Sequence, residues 1–479
     1  MLKQTMKKII NALICENNED RVFLSEIEFD AKIRNIKKIR EFSANPLLLV
    51  QQIRKQKKSH YRTESSPDEI DADFNLLIPA GVDPHVHFDD PGFEFREDFY
   101  TGSLSAAFGG ITTVIDMPCT SIPPVTNLEN MMTKLNVIKK KAVIDFALWG
   151  GVSGTSFAQN ENIEKNMTEL AEIGVIGFKT YLISGMKEFT SLTEEQLTIV
   201  GKIAKKLDLP VAVHSEDKDI IETKRFEFQS QGRNDISCYC QTRNIEAEVL
   251  AVEKVIRVAR QTGAKFHIVH LSSKKGLQKI EQAQQKGIQI STETCPHFLA
   301  FTQDDFEKMG SVLKTAPAVK FAEDRDYLWQ GLKNGSIGFV ATDHAGCIPK
   351  IEKNTGNIWT DYGGIPGTEL MIPFLFSEGF LEGKISLKKS IELVSENAAK
   401  FYRLFPQKGS LKIGTDADFA ILDLTEKNKI EGKNLHCKGK YTPFEKRTFS
   451  IKIEQTFCRG EMIVSKNNFL GGKSLGNFL

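Results

Sequence analysis

The chain has 479 residues, of which 41% are hydrophobic and 26% are charged, as is ordinary for a soluble globular protein. Its net charge of +1 gives no case for a nucleic acid or an anionic membrane as partner. No apolar run approaches the roughly 20 residues of a spanning helix, and the run near the basic N-terminus is too short for a signal peptide. Eight scattered cysteines predict reduced thiols and a cytoplasmic protein.

Residues 1–78 are predicted to form short strands with turns, for example at 9–14. The segment 44–73 is polar and basic in its middle, which indicates an inserted solvated loop or helix. The tail from 404 to 479 is strand-like again. We therefore expect one small β-sandwich domain built from both termini.

Residues 79–403 are predicted to form the central domain, because short apolar runs alternate there with segments of helical period. The predicted strands are 76–82, 112–117, 142–149, 175–181, 211–214, 265–271, 288–294 and 337–342. The predicted helices are 99–108, 127–139, 162–173, 193–207, 245–262, 275–285, 324–334, 368–378 and 387–403. Eight strand–helix units predict an α/β fold, the (β/α)8 TIM-type barrel. The alternative, an open doubly wound sheet, would carry a Gly-rich phosphate turn after its first strand, and none stands there.

Potential metal ligands stand at the carboxyl ends of five predicted strands, where such a barrel builds its active site. They are His85, His87, Lys179, His214, His270 and Asp343. His85 and His87 alternate along a strand, so both imidazoles would lie on one face. Imidazole and carboxylate suit zinc and its neighbours, and the set predicts two divalent metal ions, with zinc the expected metal.

Lys179 is the unusual member of this set, because an ammonium group would repel two cations. Burial and nearby positive charge lower the pKa of an amine, and a neutral amine can add carbon dioxide to become a carbamate. A carboxylated Lys179 would have the charge and shape of a carboxylate and could bridge both metals.

With these residues the chain resembles the cyclic amidohydrolase branch of the amidohydrolase superfamily, which contains dihydroorotase, allantoinase, dihydropyrimidinase and hydantoinase. The stretch KGSLKIGTDADFAILD resembles that family's return to the small domain, and the resemblance is weakest over 44–73. It implies a metal-dependent barrel whose six ligands are those named above, with Lys179 carboxylated. It also implies a small cyclic amide as substrate and a homo-oligomer, dimer or tetramer.

The reaction expected from this chemistry opens a cyclic amide ring to a ureido acid. Two metals would share a water and lower its pKa toward neutrality, and one metal would polarise the ring carbonyl that the resulting hydroxide attacks. Asp343 would take the proton as general base and return it to the leaving nitrogen as general acid.

Three positions argue against dihydroorotase, which must hold an anionic substrate. The residues that its family uses for this purpose are replaced by Asp89, by Cys119 in MPCT and by Cys347 in DHAGC. A carboxylate at Asp89 would repel dihydroorotate by roughly a kcal/mol or more at a partly buried site.

Other motifs favour allantoinase or a related ureide or hydantoin hydrolase. DMPCTSIPPVTN resembles the allantoinase run D-M-P-x-x-S-I-P-P-T-T, whereas residues 363–369 are more similar to dihydroorotase or hydantoinase. Two enzyme activities are alternatives: that of dihydroorotase, and that of dihydropyrimidinase or hydantoinase. The alternative outside the enzymes is a non-catalytic scaffold protein. The six filled ligand positions favour an enzyme. The expected substrate contacts are Asp89, Cys119, His297, His344 and Cys347; His297 and His344 could instead orient a ligand.

Overall fold

The computed structural model describes residues 5–16, 20–60 and 68–479, so Met1 and part of the basic segment lie outside the description. Eight parallel strands close into a ring, because each pairs with the next along the chain and the last returns to the first. The barrel strands are Gly81–His87, Ile111–Asp116, Asp145–Leu148 continued by Gly150–Gly151, Phe178–Tyr181, Val211–His214, Phe266–Ile268, Ile290–Thr294, and Phe339–Val340 continued by His344–Ala345. The predicted (β/α)8 barrel is confirmed.

Helices surround the barrel, and several barrel strands are buried along their whole length, as expected where both faces of a parallel sheet are covered. The α-helices of this layer are Phe99–Phe108, Leu128–Ile138, Gly154–Ala158, Ile163–Ile173, Glu194–Leu207, Lys218–Ser230, Ile236–Thr242, Ile245–Thr262, Lys274–Gln285, Pro296–Ala300, Gln303–Met309, Ala322–Asn334, Pro349–Glu352, Met371–Phe374, Leu387–Ile391 and Asn397–Phe401. Shorter 3-10 and π-helical turns are Gly310–Leu313, Thr368–Leu370, Leu375–Leu381, Glu392–Glu396 and Gly432–Asn434. Within the described ranges, no helix is both long enough and apolar enough to cross a bilayer.

Local sequence signals set several helix ends. Asp98 and Thr193 cap the helices that follow them, each accepting a hydrogen bond from the backbone N–H three residues later. Gly174 and Gly263 end their helices in the left-handed conformation, which glycine adopts without a Cβ penalty. These signals explain why the predicted helix bounds lie within two residues of the observed ones in this part of the chain.

Both ends of the chain build one nine-stranded sheet beside the barrel. Its strands are Lys7–Cys15, Val22–Phe29, Ile33–Phe42, Glu69–Asp71, Leu76–Pro79, Phe419–Asp423, Lys452–Cys458, Glu461–Ser465 and Asn468–Phe469. Leu76–Pro79 joins the two halves, because it pairs in parallel with Lys7–Cys15 and antiparallel with Phe419–Asp423. The helix Pro46–Ser59 occupies the basic segment, and Asn428–Lys429 pairs separately with Thr448–Phe449.

The prediction of one strand over 76–82 was wrong. The structure ends one strand at Pro79, in the terminal sheet, and begins the first barrel strand at Gly81. The chain changes sheet here because Pro79 has no N–H to donate, and because a Cβ at Gly81 would lie 2.8 Å from the side chain of Ile111. The barrel strand therefore runs further than predicted and contains both His85 and His87.

Candidate active site

The six predicted metal ligands meet at the carboxyl end of the barrel. His85 and His87 are among the last three residues of the first strand, and His214 is the last residue of the fifth. Lys179 lies within the fourth strand, and His270 follows the sixth. Asp343 lies between the two parts of the eighth strand. Parallel strands present their carboxyl ends at one edge, so residues separated by more than 250 positions become neighbours.

His85, His87 and Asp343 form one group of candidate metal ligands. Oδ1 of Asp343 lies 3.1 Å from Nε2 of His85 and 3.2 Å from Nε2 of His87. Two ligands held 2.0–2.1 Å from a tetrahedral zinc ion would lie about 3.3 Å apart. The spacing and the donor atoms of this group therefore fit a zinc-type ion.

His214 and His270 form a second pair beside the first group. Nδ1 of His214 lies 3.0 Å from Nε2 of His270, and the ring of His270 is 5.5 Å from that of His85. Nδ1 of His270 and Nζ of Lys179 are buried without a hydrogen-bond partner in the described part of the chain. Buried polar atoms normally have partners, so these orphaned atoms also fit a site that receives metal.

Lys179 is fully buried, and burial lowers the pKa of its amine to about 8, although the nearby Cys119 and Asp343 raise it. Nζ lies 5.0 Å from the centre of the Tyr181 ring. An amine of this pKa is neutral in a larger fraction of molecules at neutral pH than an exposed lysine. Reaction with carbon dioxide requires that neutral form.

Glu216 fixes the ring of His214. Its Oε2 lies 2.9 Å from Nε2 of His214 and also accepts a hydrogen bond from the guanidinium of Arg243. Burial raises the pKa of Glu216, but the charges of Arg243 and His214 lower it more, to about 2. Because Nε2 donates to this carboxylate, Nδ1 of His214 is the nitrogen that faces His270.

Glu293 fixes the ring of His85, but through Nδ1 and not through Nε2. Its Oε1 lies 2.6 Å from Nδ1 of His85, and its Oε2 lies 3.2 Å from Nε2 of His267. Burial raises the pKa of Glu293, while the two imidazoles lower it more, to about 2. His267 is in turn held by Oγ of Ser291 at 2.8 Å. Nε2 of His85 is therefore left to face Asp343.

Asp343 joins the ligand group to the cavity. Burial raises the pKa of its carboxyl, but His85, His87 and His270 hold it well below the ordinary value. Asp343 and His270 both have left-handed backbone, with φ of 51° and 41°. Such strain in residues other than glycine costs of order 1 kcal/mol or more and is common in active sites.

A cavity of about 590 Å³ opens above the ligands and is lined by side chains of several βα loops. Asp89 and Cys119, two expected substrate contacts, line it together with Tyr181. Asp89 is 1% exposed, and neither of its carboxylate oxygens has a hydrogen-bond partner among the described residues. Burial raises its pKa well above the ordinary value, more than the imidazole of His87 lowers it. Sγ of Cys119 lies 2.9 Å from Oη of Tyr181.

The other three expected contacts lie behind the cavity lining. His344 donates from Nε2 to Glu97 at 3.2 Å, and its Nδ1 accepts from the N–H of Gly367 at 3.2 Å. Cys347 is buried and donates to Oη of Tyr441 at 3.2 Å. His297 is 2% exposed with an unpartnered Nε2 within the described chain, and burial lowers its pKa to about 4. A role for these three in binding substrate stays a prediction.

Four charged residues of this region were missed by sequence reasoning: Glu216, Glu293, Arg96 and Arg243. Glu216 follows His214 by two positions, and Glu293 lies near the end of the predicted strand 288–294. An acidic residue at the end of a buried strand was the signal that could have indicated both. The arginines gave no such signal, because loops bring them to the cavity from outside the strands.

The chain is similar to known proteins over most of its length. Residues 76–463 match the model of the family described as Amidohydrolase family. An allantoinase from Rubrobacter xylanophilus is 32% identical over 413 residues, which cover 86% of this chain and 89% of that protein. An L-hydantoinase from Paenarthrobacter aurescens is 31% identical over 86% of this chain and 88% of its own.

The chain is also similar in structure to solved proteins. The L-hydantoinase (dihydropyrimidinase) from Arthrobacter aurescens superposes with a TM-score of 0.88 at 27% identity, covering 99% of each chain. The dihydropyrimidinase from Brevibacillus agri gives 0.87 at 26% identity, over 99% of this chain and 98% of its own. From the extent of the family match and the identity of these relatives, we conclude that the chain belongs to the amidohydrolase family.

Proposed function

We propose that this protein hydrolyses the amide bond of a small cyclic ureide, with allantoin as the first candidate and hydantoins as the second. The observation that carries the proposal is the arrangement of His85, His87 and Asp343, with Lys179 and the pair of histidines beside them, at the floor of one cavity. Relatives named allantoinase and L-hydantoinase support the choice of ring.

Two divalent ions would be held by the six residues, with a carboxylated Lys179 as a shared ligand. Such ions lower the pKa of water and polarise a carbonyl. The protein's own part is to hold the ligands rigidly: Glu216 and Glu293 orient His214 and His85. Zinc fits this imidazole and carboxylate set.

Asp343 is proposed to move the proton. It borders the cavity, and its carboxylate is held ionised by the surrounding imidazoles. It can therefore take a proton from the attacking water and give it to the leaving ring nitrogen. The ring opens to a ureido acid.

Charge in the cavity disfavours an anionic ring such as dihydroorotate. Asp89 stands where dihydroorotase would place a cation, and its buried carboxyl group, whose pKa burial raises, offers no positive charge to such a ring. The two arginines of the lining are already paired, Arg96 with Glu352 at 2.6 Å and Arg243 with Glu216. A substrate carboxylate would thus compete with Glu352 and Glu216 for the two guanidinium groups. Lys187, the other cation of the described lining, is exposed and lies on the cavity wall beside the acidic Glu188.

A side-by-side assay of allantoin, hydantoin, dihydrouracil and dihydroorotate tests the choice of substrate. We expect turnover of allantoin or hydantoin and little of dihydroorotate. Turnover of dihydroorotate alone would overturn the choice. Metal analysis of the purified protein separates enzyme from scaffold, because a scaffold would hold no zinc-type ion.

Asp343→Asn tests the proton-transfer role. The amide keeps the shape of the side chain but cannot take up a proton, so we expect bound metal to be retained and turnover to fall by about a thousandfold or more. Asp304→Asn, at an exposed position, is the control. An Asp343→Asn protein with near-normal turnover contradicts the role.

We further propose a homo-oligomer, dimer or tetramer, on the analogy with the branch. Light scattering coupled to size-exclusion chromatography measures the mass directly. A monomer at micromolar concentration contradicts this proposal and leaves the catalytic one untouched.

A further inference from the structure

We propose that Arg243 is a positioning residue that connects the wall of the substrate cavity to the metal ligand His214 through Glu216. The inference rests on the proposed function in taking His214 as a ligand. Arg243 lies on the cavity lining, so the connection runs from the space where substrate binds to the ring that holds metal.

The first link is a shared carboxylate oxygen. Oε2 of Glu216 accepts from Nε2 of His214 at 2.9 Å and from Nη1 of Arg243, whereas Oε1 has no partner among the described residues. Glu216 is fully buried. Removing the guanidinium would leave His214 as the hydrogen-bond donor to this carboxylate among the described residues, with the charge of Lys320 farther away, and the carboxylate would then move toward other donors.

The second link is the direction of donation. A guanidinium has donors and no acceptor, so Glu216 must accept from Arg243. His214 must also donate to the same oxygen, and this places its proton on Nε2. Nδ1 then carries the lone pair toward His270, 3.0 Å away. Arg243 thereby helps to select the nitrogen with which His214 would bind metal.

The third link is the fixed position of Arg243 itself. It follows the helix Ile236–Thr242, and its N–H donates to the carbonyl of Tyr239 at 3.0 Å. The guanidinium lies 5.6 Å from the centre of the Tyr239 ring. Its backbone carbonyl accepts from Nζ of Lys320 at 2.6 Å. The side chain is therefore held in place while 17% of it stays exposed on the cavity side.

Among the described residues, no arginine connects Glu293, the corresponding carboxylate beside His85, to the cavity. Glu293 is held between His85 and His267, and neither Glu293 nor His267 lines the cavity. A molecule bound in the cavity can therefore act on the His214 side through Arg243, but not in the same way on the His85 side. Arg243 variants should change metal binding and KM together.

Arg243→Gln and Arg243→Lys test the inference, with Arg257→Gln as a matched control. Arg257 also pairs with a glutamate, Glu194, but on the exposed surface of the helix Ile245–Thr262. Zinc affinity is measured by chelator competition, and the site geometry by the visible spectrum of the cobalt-substituted protein. KM and kcat are measured with the best ring substrate.

We expect Arg243→Gln to lose about 10- to 100-fold in zinc affinity, as is typical when a residue that orients a ligand is removed. We also expect an altered cobalt spectrum and a raised KM, with partial recovery in Arg243→Lys. Arg257→Gln should match the wild type. Where Arg243→Gln does not fold, Glu216→Gln replaces it and should shift the same measurements in the same direction.

An Arg243→Gln protein with wild-type zinc affinity and cobalt spectrum overturns this inference alone. A wild-type protein that binds zinc but hydrolyses none of the four rings overturns the proposed function instead. The two failures are thus distinguishable.

Discussion

Two buried glutamates decide which ring nitrogen two histidines present to the candidate metal centre. Glu293 holds His85 through Nδ1, and Glu216 holds His214 through Nε2. Nε2 of His85 and Nδ1 of His214 are thereby left to face the candidate metal centre. Each hydrogen bond also fixes a ring that could otherwise rotate. The glutamates therefore set the geometry that the histidines alone do not determine.

Glu293→Gln should lower zinc affinity by about 10- to 100-fold, because the amide cannot accept from both His85 and His267 as the carboxylate does. Chelator competition measures the change. Glu307→Gln, on the exposed side of the helix Gln303–Met309, serves as the control and should behave as the wild type. Equal affinities in both variants contradict the prediction.

Lys179→Ala should lose bound metal and turnover, because in the proposed function a carboxylated Lys179 is the ligand that the two ions share, and its side chain is fully buried. If Lys179 acts as a carbamate, a small carboxylic acid such as propionate can enter the space left and supply a carboxylate. Added propionate should then restore part of the activity. A Lys179→Ala protein that is active without it contradicts the bridging role.

The convergence of the six ligand candidates could be expected from the sequence, because strand ends of a barrel share one level. Their roles stay predictions. Arg243 and Arg96 could not be expected, because loop paths between strands determine which side chains reach the cavity. Substrate contacts are hard to predict for the same reason: His344 and Cys347 follow Asp343 by one and four positions, yet their side chains bind Glu97 and Tyr441.

At the scale of elements, the helix Phe99–Phe108 supports the first barrel strand through close packing. A Cβ at Gly102 would lie 2.5 Å from the ring of Phe88, the residue that follows His87. Phe88 is fully buried and packs edge-to-face on Phe99, with ring centres 5.3 Å apart. A Cβ at this position would therefore force the buried ring or the helix to shift, which favours glycine there.

Gly102→Ala should therefore lower the free energy of unfolding by about 1–3 kcal/mol through overpacking, partly offset by the better helix propensity of alanine. Thermal or denaturant unfolding measures it. Gly472→Ala, where a Cβ would meet nothing within 4 Å, is the control. If the two variants unfold alike, the close contact does not constrain the helix.

Helices with caps and clear periodicity were predictable to within a residue or two, as Ile245–Thr262 illustrates. The bounds of the first barrel strand were not predictable in this way. The apolar run 76–82 belongs to two sheets, and its periodicity does not indicate that the chain passes from one to the other at Ala80. The domain boundaries at 78/79 and 403/404 stay predictions.

At the scale of the whole molecule, Lys408 ties the terminal sheet to the barrel. Its buried Nζ pairs with Asp145 of the third barrel strand, with Asp416 at 2.9 Å and with Asp418 at 2.7 Å. Arg459 also pairs with Asp145. This cluster lies where the chain returns from the barrel to the sheet of the termini.

Lys408→Met should lower the free energy of unfolding at neutral pH by about 3–5 kcal/mol, because it removes the cation that pairs with the buried Asp418. Within the described chain, it also leaves Asp145 with Arg459 alone and Asp416 with Lys32 alone as pairing cations. Lys265→Met removes an exposed pair with Asp208 and should cost about 1 kcal/mol or less. Denaturant unfolding compares the two variants. Similar losses would show that the Lys408 cluster contributes no more than a surface pair.

The cluster also predicts a pH dependence. Burial raises the pKa of Asp416, but Lys408 and its other partners lower it below the ordinary value. The ionised Asp416 therefore contributes its full stabilisation at a pH above the ordinary pKa of an aspartate. This contribution is lost as the pH falls through the lowered pKa of Asp416 in the folded protein. In Lys408→Met the pKa should rise, so acid unfolding should begin at a higher pH than in the wild type, as circular dichroism during an acid titration would reveal.

The opposite ring nitrogens of His85 and His214 also determine which amides could replace them. An asparagine oxygen reaches about as far from the backbone as Nδ1, and a glutamine oxygen about as far as Nε2. Asparagine is thus the shape-matched substitute at position 214 and glutamine at position 85. Because oxygen donors suit manganese and magnesium better than imidazole does, these two changes should shift the proposed centre away from zinc and toward those ions.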